Sequence, residues 1–471
     1  MTIDYEAELL KRDQQIAELL QRNQEMAEEI KHLKELLAAK GKAKGAKKPK
    51  FRLNYSLTGT QRRSKRGKQA TGRYPSPEKS AQVSVEVTIY PDGVAPQTCE
   101  VNRHQYVWRI IEGEARYVDY AIYAEVGSPV VPEVPGVRNR RSEYGVEIIL
   151  MVAFLHYWIG ISLDHVCEVL QFFTGLNLSK SQANALLNQL SGDWSEHYDT
   201  IAELLAVQMV IYIDETGWKV GTQSCYTWAF SSLMYVLFRC GVGRGKAEAQ
   251  AILGERFQGI GVSDDYAAYK SLFEQHQLCW AHLLRKAIKL RLEHPDEAEY
   301  QVFLEKLCDL YQQAVRWPKD GRLSVGRPQK VEQLQADILA LCTRAGEAID
   351  EESMPTHAAT LVRLQNELVK GWDALFVFVA HPEVEPTNNR SERNVRREAE
   401  IRKGGRTSKT EAGADRRSIV MTVLATLNTR FEKFTLTHLL EEVHRWIEQG
   451  CSVFQLELDA MTQANPPPVA V

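Results

Sequence analysis

The chain has 471 residues, with 58 Lys and Arg against 61 Asp and Glu and a net charge of −3. That length excludes a single small module and predicts two to four domains around at least one large core. The near balance of charge means that any affinity for nucleic acid has to come from local patches.

Eight cysteines are scattered without a C-x-x-C pair, which predicts reduced thiols in a cytosolic setting and no disulfide framework. The longest apolar stretch, Ile148 to Ile161, is interrupted by His156 and Gly160. It is too short to span a bilayer, and the charged N-terminus lacks the apolar core of a signal peptide. The expectation is a soluble, cytoplasmic protein with no membrane contact.

From the N-terminus, Leu9, Ile16, Asn23, Ile30 and Leu37 recur every seven residues, with Leu19, Met26 and Leu33 three further on. This predicts a coiled coil over residues 1–39 and hence a homo-oligomer, at least a dimer, in which an Asn at a core position fixes register. An amphipathic helix packed on its own protein is the alternative. Residues 40–81 read as a disordered basic linker: 13 Lys or Arg and no acid fall between 40 and 73. Such a run can hold phosphates without reading bases, with Lys47, Lys48, Arg62 and Arg63 as candidates.

Residues 82–140 alternate in the strand manner ("VSVEVTIY", "QYVWRII", "YVDYAIYAEV") and close on a Pro- and Gly-containing stretch, predicting a small β-module and a linker. Residues 141–207 read as helices. "SLDHVCEVLQFF", a break at "TGLNLS" and a Ser-capped "KSQANALLNQLSGDW" are compatible with a DNA-binding helix-turn-helix whose second helix carries Lys180, Gln182 and Asn184. A plain helical hairpin fits the same pattern. Strands are expected at 209–213, 226–232, 234–240 and 259–263, with a helix at 246–253, giving an α/β arrangement. From 281 to 450 the chain reads as helical.

Two of these apolar runs end on paired acids, Asp214–Glu215 and Asp264–Asp265. Period-two geometry puts Glu215 on the side of the strand opposite Asp214, where it would structure a "DET" turn. Phosphodiester chemistry needs divalent ions held by carboxylates, and rigid strands hold carboxylates well. Glu392, in "PTNNRSERNVRREAEIRKGGR", is a candidate third acid. Its many cationic neighbours equally suit an ion-paired helix residue.

"IDETGW", "SDDYAAY", "CWAHLLRK" and "PTNNRSERNVR", in that order, resemble the insertion sequence 66 family of bacterial DDE transposases, over residues 5 to 447. The resemblance implies an α/β ribonuclease-H-like catalytic core at 208–410 with a helical insertion at about 287–380, then C-terminal helices at 411–455 and a disordered tail at 456–471. It implies Asp214, Asp264 and Glu392 as catalytic residues and ligands of two Mg²⁺ or Mn²⁺ ions. Asn388, Asn389 and His282 would support them, and Arg285, Lys286, Arg393, Arg396, Arg402 and Lys403 would contact DNA, as would Lys180 if its helix is a recognition helix. It further implies cleavage at transposon ends, joining of the 3′-hydroxyl to target DNA, and accessory proteins of the same element. An inactive DNA-binding protein and a ribonuclease-H-like hydrolytic nuclease are the alternatives.

The chain departs from the family pattern in three places. Asp265 stands where Gly is usual after the second aspartate, so Asp265 competes with Asp264 for the ligand role. Leu284 stands where an Arg is usual. The β-module holds only Cys99, from which no four-ligand zinc site can be built, and Cys279 with His282 makes only two ligands; no zinc is expected.

Overall fold

The computed structural model describes residues 82–269, 271–317, 326–350 and 352–464. The expected coiled coil and basic linker, with Lys47, Lys48, Arg62 and Arg63, lie outside the described residues. Within them the chain forms fourteen α-helices and two mixed sheets.

The first sheet, in order β1-β3-β2, joins β1 (Val85–Ile89), β2 (Cys99–Ile111) and β3 (Glu114–Glu125). β2 and β3 form an antiparallel hairpin whose two loop residues, Glu112 and Gly113, both have positive φ. That conformation matches the twist of the flanking strands, and Gly supplies it without strain. Val107, Val118 and Ile122 are fully buried beneath this sheet.

Four helices follow: α1 (Val146–Ala153), α2 (Leu163–Thr174), α3 (Lys180–Asp193) and α4 (Ser195–Ala206). Ser162 caps α2, and Gly175 ends it in the left-handed conformation. Ser179 and Gln182 form a capping box at the start of α3. These polar residues satisfy amide groups that a helix end leaves open.

The second sheet has the order β6-β5-β4-β7-β8, built from β4 (Val210–Val220), β5 (Gln223–Ser231), β6 (Val236–Val242), β7 (Phe257–Ser263) and β8 (Phe273–Leu278). β5 runs antiparallel to both β4 and β6, whereas β7 is parallel to β4 and β8 parallel to β7. Helix α5 (Lys246–Leu253) makes the crossover from β6 to β7.

Two expectations change here. β4 does not end at its acids: paired with β5 from Tyr212 to Val220, it runs straight through "DETGW", so there is no "DET" turn. Its pairing with β7 covers only Val210 to Tyr212, so Asp214 stands just past the end of the parallel ladder. β8 was not expected at all, because "FEQHQL" is too polar to read as a core strand. Its buried Gln277 is satisfied by Phe378 N–H and by the carbonyls of Leu278 and Leu375.

The sheet separates two cores. On one side Ile211, Ile213, Trp228 and Phe230 pack with the helices of residues 146–206 and with α12 (Glu411–Asn428), α13 (Leu436–Gln449) and α14 (Val453–Ala464). On the other, Tyr212, Ile260, Val262 and Trp280 pack with α6 (Trp280–Glu293), α7 (Ala298–Arg316), α8 (Arg327–Leu341), α9 (Thr356–Lys370) and α10 (Val377–Ala380). α14 corrects the tail expected to be disordered from 456. Phe454 is fully buried, and Glu457 binds both Arg430 and Tyr235, which holds the segment helical up to Ala464.

Strand β6 lies at the sheet edge, and α12 covers it through hydroxyls. Thr426, Thr422 and Ser418 accept hydrogen bonds from the amides of Val236, Phe238 and Cys240 at 3.0, 2.9 and 2.9 Å. Four residues of helix rise about 6 Å and two of strand about 6.6 Å, so the two spacings nearly coincide.

Candidate active site

Helix α11 (Asn389–Lys403) packs on β4 and β5, and the polar residues of "NNRSERN" are the stitches. Asn388 donates to the Ile213 carbonyl at 2.7 Å, Ser391 to the Ala229 carbonyl at 2.9 Å, and Asn394 to Ser231 Oγ at 3.0 Å. Spaced by three, they share the helix face turned to the sheet. A second clamp lies deeper, where Glu398 accepts two hydrogen bonds from Arg417 of α12, at 2.7 and 2.9 Å, with both side chains buried. Breaking such a pair costs far more than an exposed one, because it strands a buried charge. These contacts fix the angle at which α11 presents Glu392.

Asp214 lies on the Tyr212 side of β4. Burial, the charge of Glu215, and then those of Asp264 and Glu392 push its carboxyl up to about 8. Asp264 and Glu392 therefore lie near enough for their charges to act on Asp214. Asp264 follows β7 and accepts the Tyr266 amide at 3.1 Å, while Asp265 is exposed. Glu392 accepts from Arg285 at 2.8 Å, and His282 Nδ1 stands 3.6 Å away. Burial and the Arg285 charge lower the pKa of His282.

Glu215, read in the sequence as a turn residue, anchors the Asp264 loop instead. Its side chain is only 4% exposed and takes Arg244 at 2.9 Å and the Tyr269 hydroxyl. The Arg244 guanidinium in turn lies 4.1 Å over the Tyr266 ring. The loop "SDDYAAY" is thus tied to β4 at two tyrosines. The sequence signal was present in those tyrosines, but their partner could not be identified from spacing.

The candidate DNA-contacting residues divide. Arg393, Arg396 and Lys403 are exposed on α11, with 396 and 403 four and eleven residues beyond Glu392 and so on its side of the helix. Asn389, at the first position of α11, is exposed, whereas Asn388 is buried. Arg402 instead donates to the Gly217 carbonyl at 2.7 Å, where an added Cβ would lie 2.8 Å from its guanidinium. Lys286 pairs with Glu367, and Lys180 with Asp164 at 2.6 Å. A cleft of ≈ 650 Å³ opens beside Asp264, Asp265 and His282, bordered by Arg244, Lys286, Arg363 and Lys370.

The sequence profile of the Transposase IS66 family matches residues 141–416, well over half of the chain. The chain belongs to the Transposase IS66 family. The matched span carries all three acids, the cleft and the stitches of α11, and a transposase role follows from it. No curated protein matches the chain. Among the described residues of this IS66-family protein, no helix is long and apolar enough to cross a membrane.

Proposed function

We propose that the chain is a DDE-type transposase, cutting DNA at transposon ends and joining the freed 3′-hydroxyl to target DNA, with Asp214, Asp264 and Glu392 as its catalytic acids. The observation that carries the reading is that Asp214 on β4, raised first by burial and by Glu215, also feels the carboxylates of Asp264 at the end of β7 and Glu392 on α11. The sheet order, three antiparallel strands and two parallel ones with the first strand central, supports a ribonuclease-H-like core. The helices of 298–380 then read as its insertion.

The donor set fits Mg²⁺ or Mn²⁺. All three side chains are hard oxygen donors, and mutual repulsion among them is what a divalent cation relieves. Asn388 Oδ1, on the side chain that binds the Ile213 carbonyl, is buried without a hydrogen-bond donor. When bound, a pair of such ions activates the attacking oxygen and neutralises the leaving one. The chain's own residues do the positioning. Glu215 holds the Asp264 loop, the stitches of α11 hold Glu392, and Arg393, Arg396 and Lys403 offer an exposed positive surface to the phosphate backbone. Arg285 and Lys286 reach DNA by exchanging Glu392 and Glu367 for phosphates. The basic linker, with Lys47, Lys48, Arg62 and Arg63, supplies sequence-independent affinity, and residues 1–39 make the protein at least a dimer.

Asp214→Asn, Asp264→Asn and Glu392→Gln each keep shape and remove a negative ligand. Each should abolish cleavage of terminal-repeat DNA while binding to that DNA persists, with Asp265→Asn milder. Wild-type cleavage by any of the three removes that residue from the site. Joining of the cut 3′ end to a target duplex separates a transposase from a hydrolytic nuclease, and metal-dependent cutting separates it from an inactive DNA-binding protein.

A further inference from the structure

Where the sequence offered two ligands of different softness, the fold supplies a third. Cys279 Sγ, a His282 ring nitrogen and a Glu392 carboxylate oxygen all lie within 4.8 Å of one another. His282 Nδ1 is 3.6 Å from Glu392 Oε1. Bonds of about 2.0–2.3 Å around a tetrahedral zinc ion put neighbouring ligand atoms roughly 3.3–3.7 Å apart, so little movement closes the set.

The surroundings are those of a built site. Cys279 is 1% exposed, and His282 Nδ1 is buried without a hydrogen-bond partner, a state that costs free energy unless something occupies the nitrogen. The Asn388 amide donates to Cys279 Sγ at 3.1 Å, an outer contact of the kind that orients and stabilises a thiolate ligand. The His282 amide donates to the Cys279 carbonyl at 3.1 Å, fixing the turn that puts thiol and imidazole on one side.

We propose that Cys279, His282 and Glu392 bind a thiophilic divalent cation of the zinc class, with a fourth position open to water. Sulfur and imidazole select such an ion over Mg²⁺. Glu392 cannot serve this ion and the oxygen-liganded pair at once, so zinc withdraws the third acid from Asp214 and Asp264. Arg285, which holds Glu392 Oε1 at 2.8 Å and has a side chain 56% exposed, is the group that gives way. Zinc binding stands on the three ligands alone; its inhibitory effect rests on the catalytic reading above.

The test titrates Zn²⁺ against a chromophoric chelator on the full-length protein, with Co²⁺ as a spectroscopic substitute. Wild type should take one tightly bound ion per chain and show a thiolate-to-cobalt charge-transfer band in the near ultraviolet. Cys279→Ser and His282→Gln should each weaken zinc at least tenfold, and Asp214→Asn should leave it within twofold. Absence of the cobalt band in the unmodified chain overturns the site without recourse to any variant. Wild-type zinc affinity in both Cys279→Ser and His282→Gln does the same. In Mg²⁺-dependent cleavage, zinc should inhibit wild type tenfold or more, and Cys279→Ser should escape this relative to its own zinc-free rate. Tight zinc binding with no cleavage under any condition would retain the site and reject the catalytic reading.

Discussion

Helices α3 and α11 look alike in sequence, since both are polar, begin at small hydrogen-bonding residues and suggest a surface turned to DNA. The fold treats them oppositely. On α3 polar side chains are tied to the protein, even where exposed: Gln182 bonds Tyr144 at 2.8 Å, Asn184 takes Arg416 at 3.0 Å, and Asn188 takes the same guanidinium. On α11 the stitching residues are also inward, yet Arg393, Arg396 and Lys403 remain exposed beside Glu392. A polar side chain is committed to structure or left for a ligand according to what faces it, and here α12 faces α3 with a buried-side cation. Polarity alone does not distinguish the two fates.

The contrast breaks most forcefully by unseating α11. Glu398→Ala leaves Arg417 buried and unpaired and should cost about 3–5 kcal/mol in chemical denaturation. A loss under about 1 kcal/mol would mean that the stitches to β4 and β5, not this clamp, hold the helix.

Next in size is the paired change Asn184→Ala with Asn188→Ala, which removes two acceptors from Arg416. It should cost about 1–3 kcal/mol and leave the ratio of end-DNA to random-DNA affinity unchanged. If that ratio collapses while stability is unaltered, α3 reads bases after all.

The third measurement uses charge. Burial first, and then the charges of Glu215, Asp264 and Glu392, push Asp214 up to about 8, well above the unfolded value of about 3.9. A raised carboxylate contributes stability that is complete below the unfolded value and is lost as pH climbs through the folded one. Metal-free wild type should therefore lose melting temperature relative to Asp214→Asn between about pH 4 and pH 8, and Mg²⁺ or Mn²⁺ should restore it at the upper end. A difference that stays flat across that window would mean that neither burial nor its acidic neighbours raise Asp214.

The smallest effect lies on the exposed stripe. Arg396→Gln and Lys403→Gln should change stability by no more than about 0.5 kcal/mol. Each should lower the slope of log affinity against log salt by up to about 0.9 if it touches a phosphate.

The sequence carried the strands that are apolar and the acids that follow them, because burial on both faces writes itself as runs such as "MVIYI" and "GIGVS". It missed β8, whose Gln277 is paid for by the backbone of residues about one hundred positions away. It stopped β4 too early, since "DETGW" carries no apolar run and β5 is the one strand that pairs with it. It named Cys279 and His282 but could not bring Glu392 to them. In each case the missing information was a partner distant in the chain, and local pattern has no access to that.

The row of hydroxyls from α12 along β6 has a consequence for how copies of the chain meet. An open strand edge is a template on which another molecule can add a strand, and proteins that gather at high local concentration are most exposed to that hazard. Here Thr426 both accepts from Val236 N–H and donates to its carbonyl at 2.8 Å, and Thr429 takes up the Met234 carbonyl at 2.9 Å. The edge is already spoken for, so a second copy of the chain cannot add a strand to this sheet along β6.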